Sequence, residues 1–441
     1  MKWLFWILLA VLTCARLAEA RRPRAAKQRQ VREDDDDDDT DVYTNDDDAE
    51  EDAMDWSAEL QRKTKTVGID GGEEEENNLP KKARSAIDFL HPPTALDVDQ
   101  DEIPRSSKRL FSKQLSKMDY LESHHLYVDG APKSFPANEV LMYVTPWNRK
   151  GKDYVTRMKQ KVNWVAPCWY QLRRNENQKL VVTGGHDEDW AWVDGLFDGE
   201  ARQDLRIVPR VVVETNLPNK NELADAVDKL LQVMRNANEG RGGGSGVTRI
   251  HGFTLEVPLN TKEGMGLAVL IPHALKSADS SIKIVSVLPP VVVNPEDEQA
   301  LSTLTKLSQA VDRLSIMTYD RDRNGNPNSP LEWVASVMTS LVQVPGLQPK
   351  LLLGIPMYGW RTGNEDMTAD KMVLWLASEK VSVTFDEESQ EHVFKDGKGR
   401  RVSYPTPYGL TLKMRMASTL QIAGVAAWEA GQMPASYMDA F

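Results

Sequence analysis

Residues 250–258 read Ile-His-Gly-Phe-Thr-Leu-Glu-Val-Pro. In an extended chain every second side chain points to the same face, so Thr254, Glu256 and Pro258 form one column. Glu256 is the only member of that column with a carboxylate. Two further runs join a large aromatic to an acid, Met317-Thr318-Tyr319-Asp320 and Ala427-Trp428-Glu429. Trp147, Trp169 followed by Tyr170, Glu214 and Tyr358 close other apolar runs in a similar way. Aromatic faces pack on the C–H faces of sugar rings, and carboxylates accept hydrogen bonds from hydroxyl and acetamido groups. Trp147, Trp169, Glu214, Glu256, Met317, Tyr319, Asp320, Tyr358 and Trp428 together therefore point to an oligosaccharide groove. Taken singly, each aromatic reads equally well as core, and Asp320 as an ion-pair partner of Arg313, Arg321 or Arg323. His124, His125, His186, His251, His273 and His392 are scattered without ligand spacing, so no metal site is expected.

These groups need a scaffold that brings distant segments to one end. From residue 139 onward, eight apolar runs at 141–147, 162–170, 206–214, 250–257, 283–288, 313–320, 350–358 and 424–429 read as strands. Stretches of helical length separate most of them, for example 221–236, 299–309, 331–341 and 408–422. Repeated strand and helix imply a parallel α/β fold, and eight units imply closure into a (β/α)₈ TIM barrel. A doubly wound sheet is the alternative. It usually carries a Gly-rich phosphate turn after an early strand, where this chain has Thr145-Pro146-Trp147-Asn148. The glycine run at 242–246 precedes a strand, lacks a P-loop lysine and reads as a flexible loop. Residues 381–404 read as a small β-hairpin inserted between strands seven and eight. In such a barrel the functional groups project from the C-terminal strand ends, where the aromatics and acids above are found.

Met317-Thr318-Tyr319-Asp320 matches the Met-x-Tyr-Asp motif of glycoside hydrolase family 18, and Ala427-Trp428-Glu429 resembles that family's terminal tryptophan. The resemblance runs from about residue 138 to the end. It implies that Tyr319 and Asp320 hold an acetamido group, that the Trp428–Glu429 bond is a non-proline cis peptide, and that no cofactor is needed. Hydrolytic members carry Asp-Gly-x-Asp-x-Asp-x-Glu on the fourth strand, where the last Glu protonates the glycosidic oxygen. Here His251, Thr254 and Glu256 stand at the three Asp positions and Pro258 at the acid. Proline cannot donate a proton, and losing a positioned general acid typically forfeits ~10²- to 10⁴-fold in rate. Glu256 lies one pleat earlier, ~6.6 Å deeper at ~3.3 Å per residue. The expectation is a carbohydrate-binding, chitinase-like lectin without efficient hydrolysis. The alternatives are a weakly active glycosidase using Glu256 and a secreted protein-interaction module.

The rest of the sequence bounds where this activity sits. Residues 1–20 have a lysine, an apolar run and a small-residue ending, the layout of a secretory signal peptide. Residues 21–78 form a basic, then acidic leader whose composition predicts disorder, and 79–138 a pre-barrel segment with short helices around 110–121. The chain carries a net charge of −12, but about 21 acids against about three bases lie between Glu33 and Glu76 and about six bases between residues 21 and 32, which leaves residues 77–441 near neutral. That balance gives no case for nucleic acid. No membrane span is expected after signal removal, which predicts a protein outside the cell or in a lysosomal lumen. The expected partners are an oligosaccharide, from the aromatic and acidic strand ends, and a cell-surface or sorting receptor, from the charge blocks and the resemblance. Removal of the signal also takes Cys14 and leaves Cys168, read as a buried strand residue rather than a reactive thiol.

Overall fold

The computed structural model describes residues 108–128, 130–198, 204–217, 219–239, 248–259 and 261–441. The signal sequence, the acidic leader and the glycine run lie outside the described residues. Eight parallel strands close a barrel: Glu139–Val144, Trp164–Arg174, Arg210–Val213, Gly252–Glu256, Lys283–Leu288, Arg313–Ile316, Leu351–Pro356 and Gly424–Trp428. The first strand pairs with both the second and the eighth, which is what makes the sheet a barrel. Helices such as Lys220–Glu239, Lys262–Ala278, Glu298–Ala310, Leu331–Val342 and Pro407–Thr419 surround it.

Alternate residues on each strand divide between two apolar layers. Val140, Met142 and Val165 face the helices, whereas Leu141, Tyr143, Ala166, Cys168, Val285, Leu352 and Ala426 fill the barrel. The N-terminal end of that interior is stoppered by a polar cluster. Arg313 Nε donates to Glu139 Oε2 at 2.6 Å, Trp164 Nε1 donates to the same oxygen at 2.7 Å, and the guanidinium lies 5.4 Å from the Trp164 ring centre.

Only the fifth strand keeps its expected bounds, the first running 139–144 in place of 141–147, and three depart furthest, each for a local reason. The third breaks into Arg206–Ile207 and Arg210–Val213 around Pro209, which has no N–H to give to a ladder. The sixth ends at Ile316, because Thr318 N turns back to Ile316 O and Asp320 takes a left-handed φ of 61°. The second runs on to Arg174 and pairs antiparallel with Leu180–Thr183 above the barrel.

The hairpin between strands seven and eight is part of a larger antiparallel sheet. Its five strands lie in the order Glu365–Met367, Gly359–Arg361, Arg401–Tyr404, Glu391–Asp396 and Val381–Asp386, with helix Ala369–Ser378 alongside. Residues 397–400 join the third and fourth of these, and residues 387–390 join the fourth and fifth. Two short helices before the barrel, Lys108–Phe111 and Lys117–Ser123, cover this sheet. Tyr120 is fully buried, 6.1 Å from both the Phe394 and Tyr404 rings, and Ser116 and Asp119 form a capping box.

Closure depends on one glycine. Gly424 opens the eighth strand with φ 155°, and a Cβ there would sit 2.0 Å from the Glu139 carbonyl oxygen. Gly424→Ala is expected to lower folding stability by about 2 kcal/mol or more, measured by urea denaturation, because the clash is with backbone in the closing seam. An unchanged midpoint would show that the seam can open at little cost.

Candidate functional site

The C-terminal mouth of the barrel gathers Tyr143, Arg210, Glu256 and Trp428 from strands one, three, four and eight, with Tyr319 from the turn after strand six. Arg210 Nε donates to Glu256 Oε2 at 2.8 Å, with the two side chains only 18% and 15% exposed. The same guanidinium lies 5.3 Å from the Trp428 ring centre. Tyr143 stacks obliquely on Trp428 at 5.1 Å and donates its hydroxyl to Ser315 Oγ at 3.0 Å. Burial lowers the Arg210 pKa, but the charge and hydrogen bond of Glu256 together with Cys168 and Tyr143 outweigh it, and the net shift is upward. Burial raises the Tyr143 hydroxyl. It also pushes the Cys168 thiol, inside the barrel, up to about 12, which leaves it an unreactive thiol at neutral pH.

The column on the fourth strand can be followed atom by atom. Thr254 is fully buried and donates to the Val208 carbonyl at 2.9 Å. Glu256 is spent on Arg210, and Pro258 is exposed past the strand end. No carboxylate therefore stands at the top of the column.

A second group forms the rim next to the inserted sheet. Asp320 accepts from Tyr358 Oη at 2.5 Å, Trp360 Nε1 at 2.8 Å and Arg323 at 3.1 Å. Of the arginines near it in sequence, Arg323 makes the ion pair, Arg313 serves the opposite end of the barrel, and Arg321 lies 5.8 Å from the Trp333 ring centre. Tyr319 and Tyr358 meet edge to face at 6.5 Å, and Tyr358 meets Trp360 at 5.8 Å. Met317 packs against the interior cluster.

The remaining residues singled out from sequence lie elsewhere. Trp147 is 63% exposed just beyond the first strand. Glu214 is exposed beyond the third. Trp169 does not face the mouth. It is 1% exposed and packs edge to face on Trp190 at 5.2 Å in the helix-side layer. Trp169 keeps the helix-side parity of Val165, opposite to Ala166 and Cys168. The register against the third strand shifts between Cys168 and Tyr170, and that bulge turns Tyr170 to the helix side as well. Tyr170 instead donates its hydroxyl to Glu188 at 2.8 Å.

Sequence reasoning missed Arg210 and Trp360. The signal for Trp360 was its spacing of two from Tyr358. For Arg210 it was a lone cation in an apolar run on the parity of Val208. The Trp428–Glu429 peptide bond is cis, as the resemblance implies. Glu429 is fully buried and accepts from Asn148 Nδ2 and Gly431 N, each at 3.0 Å, while burial raises its pKa. Among the described residues no helix is long and apolar enough to cross a membrane, and no cluster of three or more His, Cys, Asp or Glu side chains could hold a metal ion.

The fold recurs in proteins of known structure. A chitinase from Chromobacterium violaceum superposes with a TM-score of 0.55 at 18% identity, over 69% of this chain and 98% of the chitinase. The Bacillus cereus spore cortex-lytic enzyme SleL gives 0.55 at 16% identity, over 71% and 76%. YKL-39, solved in the presence of chitooligosaccharides, gives 0.53 at 13% identity, over 68% and 98%. In sequence, residues 265–432 match the family described as glycosyl hydrolases family 18. The chain thus carries the family 18 sequence pattern over its last four barrel strands, on a closed barrel that chitinases share.

Proposed function

We propose that the whole barrel is a family 18 chitinase-like lectin, which binds chito-oligosaccharide or a related amino-sugar glycan at its C-terminal mouth without efficient hydrolysis. The observation that carries the reading is the pairing of Trp428, at the mouth, with a fourth-strand column that ends in Pro258 and whose single carboxylate is bonded to Arg210. An aromatic platform and hydrogen-bonding groups suffice to hold a sugar, whereas cleavage needs an acid beside the glycosidic oxygen. Glu256 is a poor substitute, since reaching the substrate would require it to leave its arginine.

The segments around Trp147 and Trp428, residues 143–148 and 428–432, resemble chitinase domain-containing protein 1. Within this proposal the protein is exported through its N-terminal signal and meets its glycan outside the cell or in a lysosomal lumen, with a cell-surface or sorting receptor as a further partner.

Calorimetric titration with chitotetraose tests the reading. The parent is expected to bind, Trp428→Ala to bind about tenfold more weakly or worse, and neither to release product from a chromogenic chito-oligosaccharide. Equal affinity in both proteins, or none in either, would sink it. Product release that Glu256→Gln abolishes would instead establish the glycosidase.

A further inference from the structure

We propose that Glu391, on the inserted sheet, is a positioning residue for the sugar site, acting by clamping the loop that holds Asp320. This rests on the reading of the mouth as a sugar site.

Glu391 and Lys413 are each 4% exposed and lie 3.4 Å apart, Lys413 coming from the helix that precedes the eighth strand. The lysine is one of four donors that converge on this carboxylate. Oε2 accepts from Asn328 N at 3.0 Å and Ser403 Oγ at 2.5 Å, and Oε1 accepts from Ser329 N at 3.1 Å as well as from Lys413. Asn328 and Ser329 belong to the loop after the sixth strand, 63 and 62 residues away in sequence.

The clamped loop closes directly on the site. Asn328 Oδ1 accepts from Asp320 N at 2.7 Å, and Asn328 Nδ2 donates to Tyr358 O at 3.1 Å. Ser329 Oγ donates to Thr318 O at 2.6 Å, and Arg321 N donates to Asn328 O at 2.9 Å. Asp320 is held at φ 61°, a left-handed conformation uncommon outside glycine, which Asp tolerates better than most residues and which the Asn328 contact fixes. Its carboxylate then gathers Tyr358, Trp360 and Arg323 on the rim. The path from inserted sheet to rim therefore runs through two residues, Asn328 and Asp320.

Only a carboxylate fits this position. Two oxygens carry about four acceptor sites, matching the four donors, whereas glutamine would turn an NH₂ group against one of the two backbone N–H groups. A neutral amide there would also leave Lys413 buried without its counter-ion, so Glu391→Gln alone risks failing to fold. Glu391→Gln with Lys413→Met removes both charges and keeps the test open.

Two measurements on the folded double variant decide the matter. Hydrogen exchange read residue by residue is expected to speed up about tenfold or more at the Asp320 and Asn328 amides while barrel amides such as that of Leu141 keep the parental rate. Chitotetraose affinity is expected to fall about tenfold, a loss that a purely structural clamp would not produce in a folded protein. Unchanged exchange at Asp320 would overturn the proposal whatever the sugar does. Faster exchange with parental affinity would overturn the link from clamp to binding. If the parent itself does not bind chitotetraose, the sugar-site reading fails and the positioning role for it fails with it, while the exchange result still shows whether Glu391 holds the loop.

Discussion

Arg210→Met is expected to lower folding stability by about 3 kcal/mol, and Arg210→Met combined with Glu256→Gln to recover most of that loss. The reason is the surroundings of the pair. Arg210 and Glu256 are bonded at 2.8 Å with less than a fifth of either side chain exposed, so water screens them little. Methionine can still pack on the Trp428 ring, but it leaves the Glu256 carboxylate beside Tyr143, Tyr319 and Cys168 without a counter-ion. Removing one partner of a buried pair exposes the full desolvation penalty of the other, whereas neutralising both removes the penalty with the attraction. Urea denaturation of the parent, both single variants and the double variant completes the cycle. A double variant no more stable than Arg210→Met would show that the arginine acts through packing on Trp428 alone.

Stability is also expected to fall steeply between pH 6.5 and 4. Burial lowers the pKa of His392 to about 4, and burial, with Arg206 and Lys283 nearby, does the same to His251. Burial is what keeps His392 neutral, against the backbone hydrogen bonds that favour its charged form. Nε2 faces the Lys113 carbonyl at 3.2 Å and must donate, while Nδ1 lies 2.8 Å from the Thr406 hydroxyl. His251 Nδ1 accepts from Ile207 N at 3.1 Å.

The sign follows from linkage. A histidine whose folded pKa lies below its unfolded value binds fewer protons when folded, so its contribution is complete above pH 6.5 and is lost as the pH falls to 4. Each can contribute up to about 3 kcal/mol. Glu429, raised by burial, works in the opposite direction and offsets part of the loss as it protonates. Melting temperatures taken at several pH values should fall with acidity, and His392→Gln should flatten the slope. An equally steep slope in that variant would assign the acid sensitivity to other groups.

The barrel was legible because its strands are short apolar runs set apart by polar helices, a pattern that local residues alone determine. Strand ends were less legible. Nothing in Arg313 to Asp320 distinguishes the residues that keep the ladder from those that leave it, since Asp320 turns away under contacts from Asn328 and Trp360. The site divides in the same manner. The shared face of Thr254 and Glu256 follows from alternation within one strand, Gly252–Glu256, whereas Pro258 lies past its end. The ion pair that occupies Glu256 joins residues 46 apart, and the groups that fix Asp320 come from the far end of its own loop and from the inserted sheet. Tyr170 shows the converse failure, where a bulge turns a residue with the parity of Ala166 and Cys168 away from the barrel interior. Local pattern thus locates the strands and the face, while long-range partners decide what each side chain on that face is free to do.

The seam between the first and eighth strands bears on how the chain is made. Glu139–Val144 pairs with Gly424–Trp428, so a ribosome must deliver nearly the whole barrel before the ring can close. Until then the first strand offers a bare backbone edge to any neighbour that can extend it, the geometry from which aggregation starts. The covering helices at residues 108–123 face the same delay, because Phe394 and Tyr404, against which Tyr120 packs, are also late to emerge. Contacts of such long sequence separation form slowly. The waiting period is therefore when this protein most needs a chaperone, and variants that weaken the seam, such as Gly424→Ala, are expected to reduce soluble yield in cells more than their equilibrium stability alone would suggest.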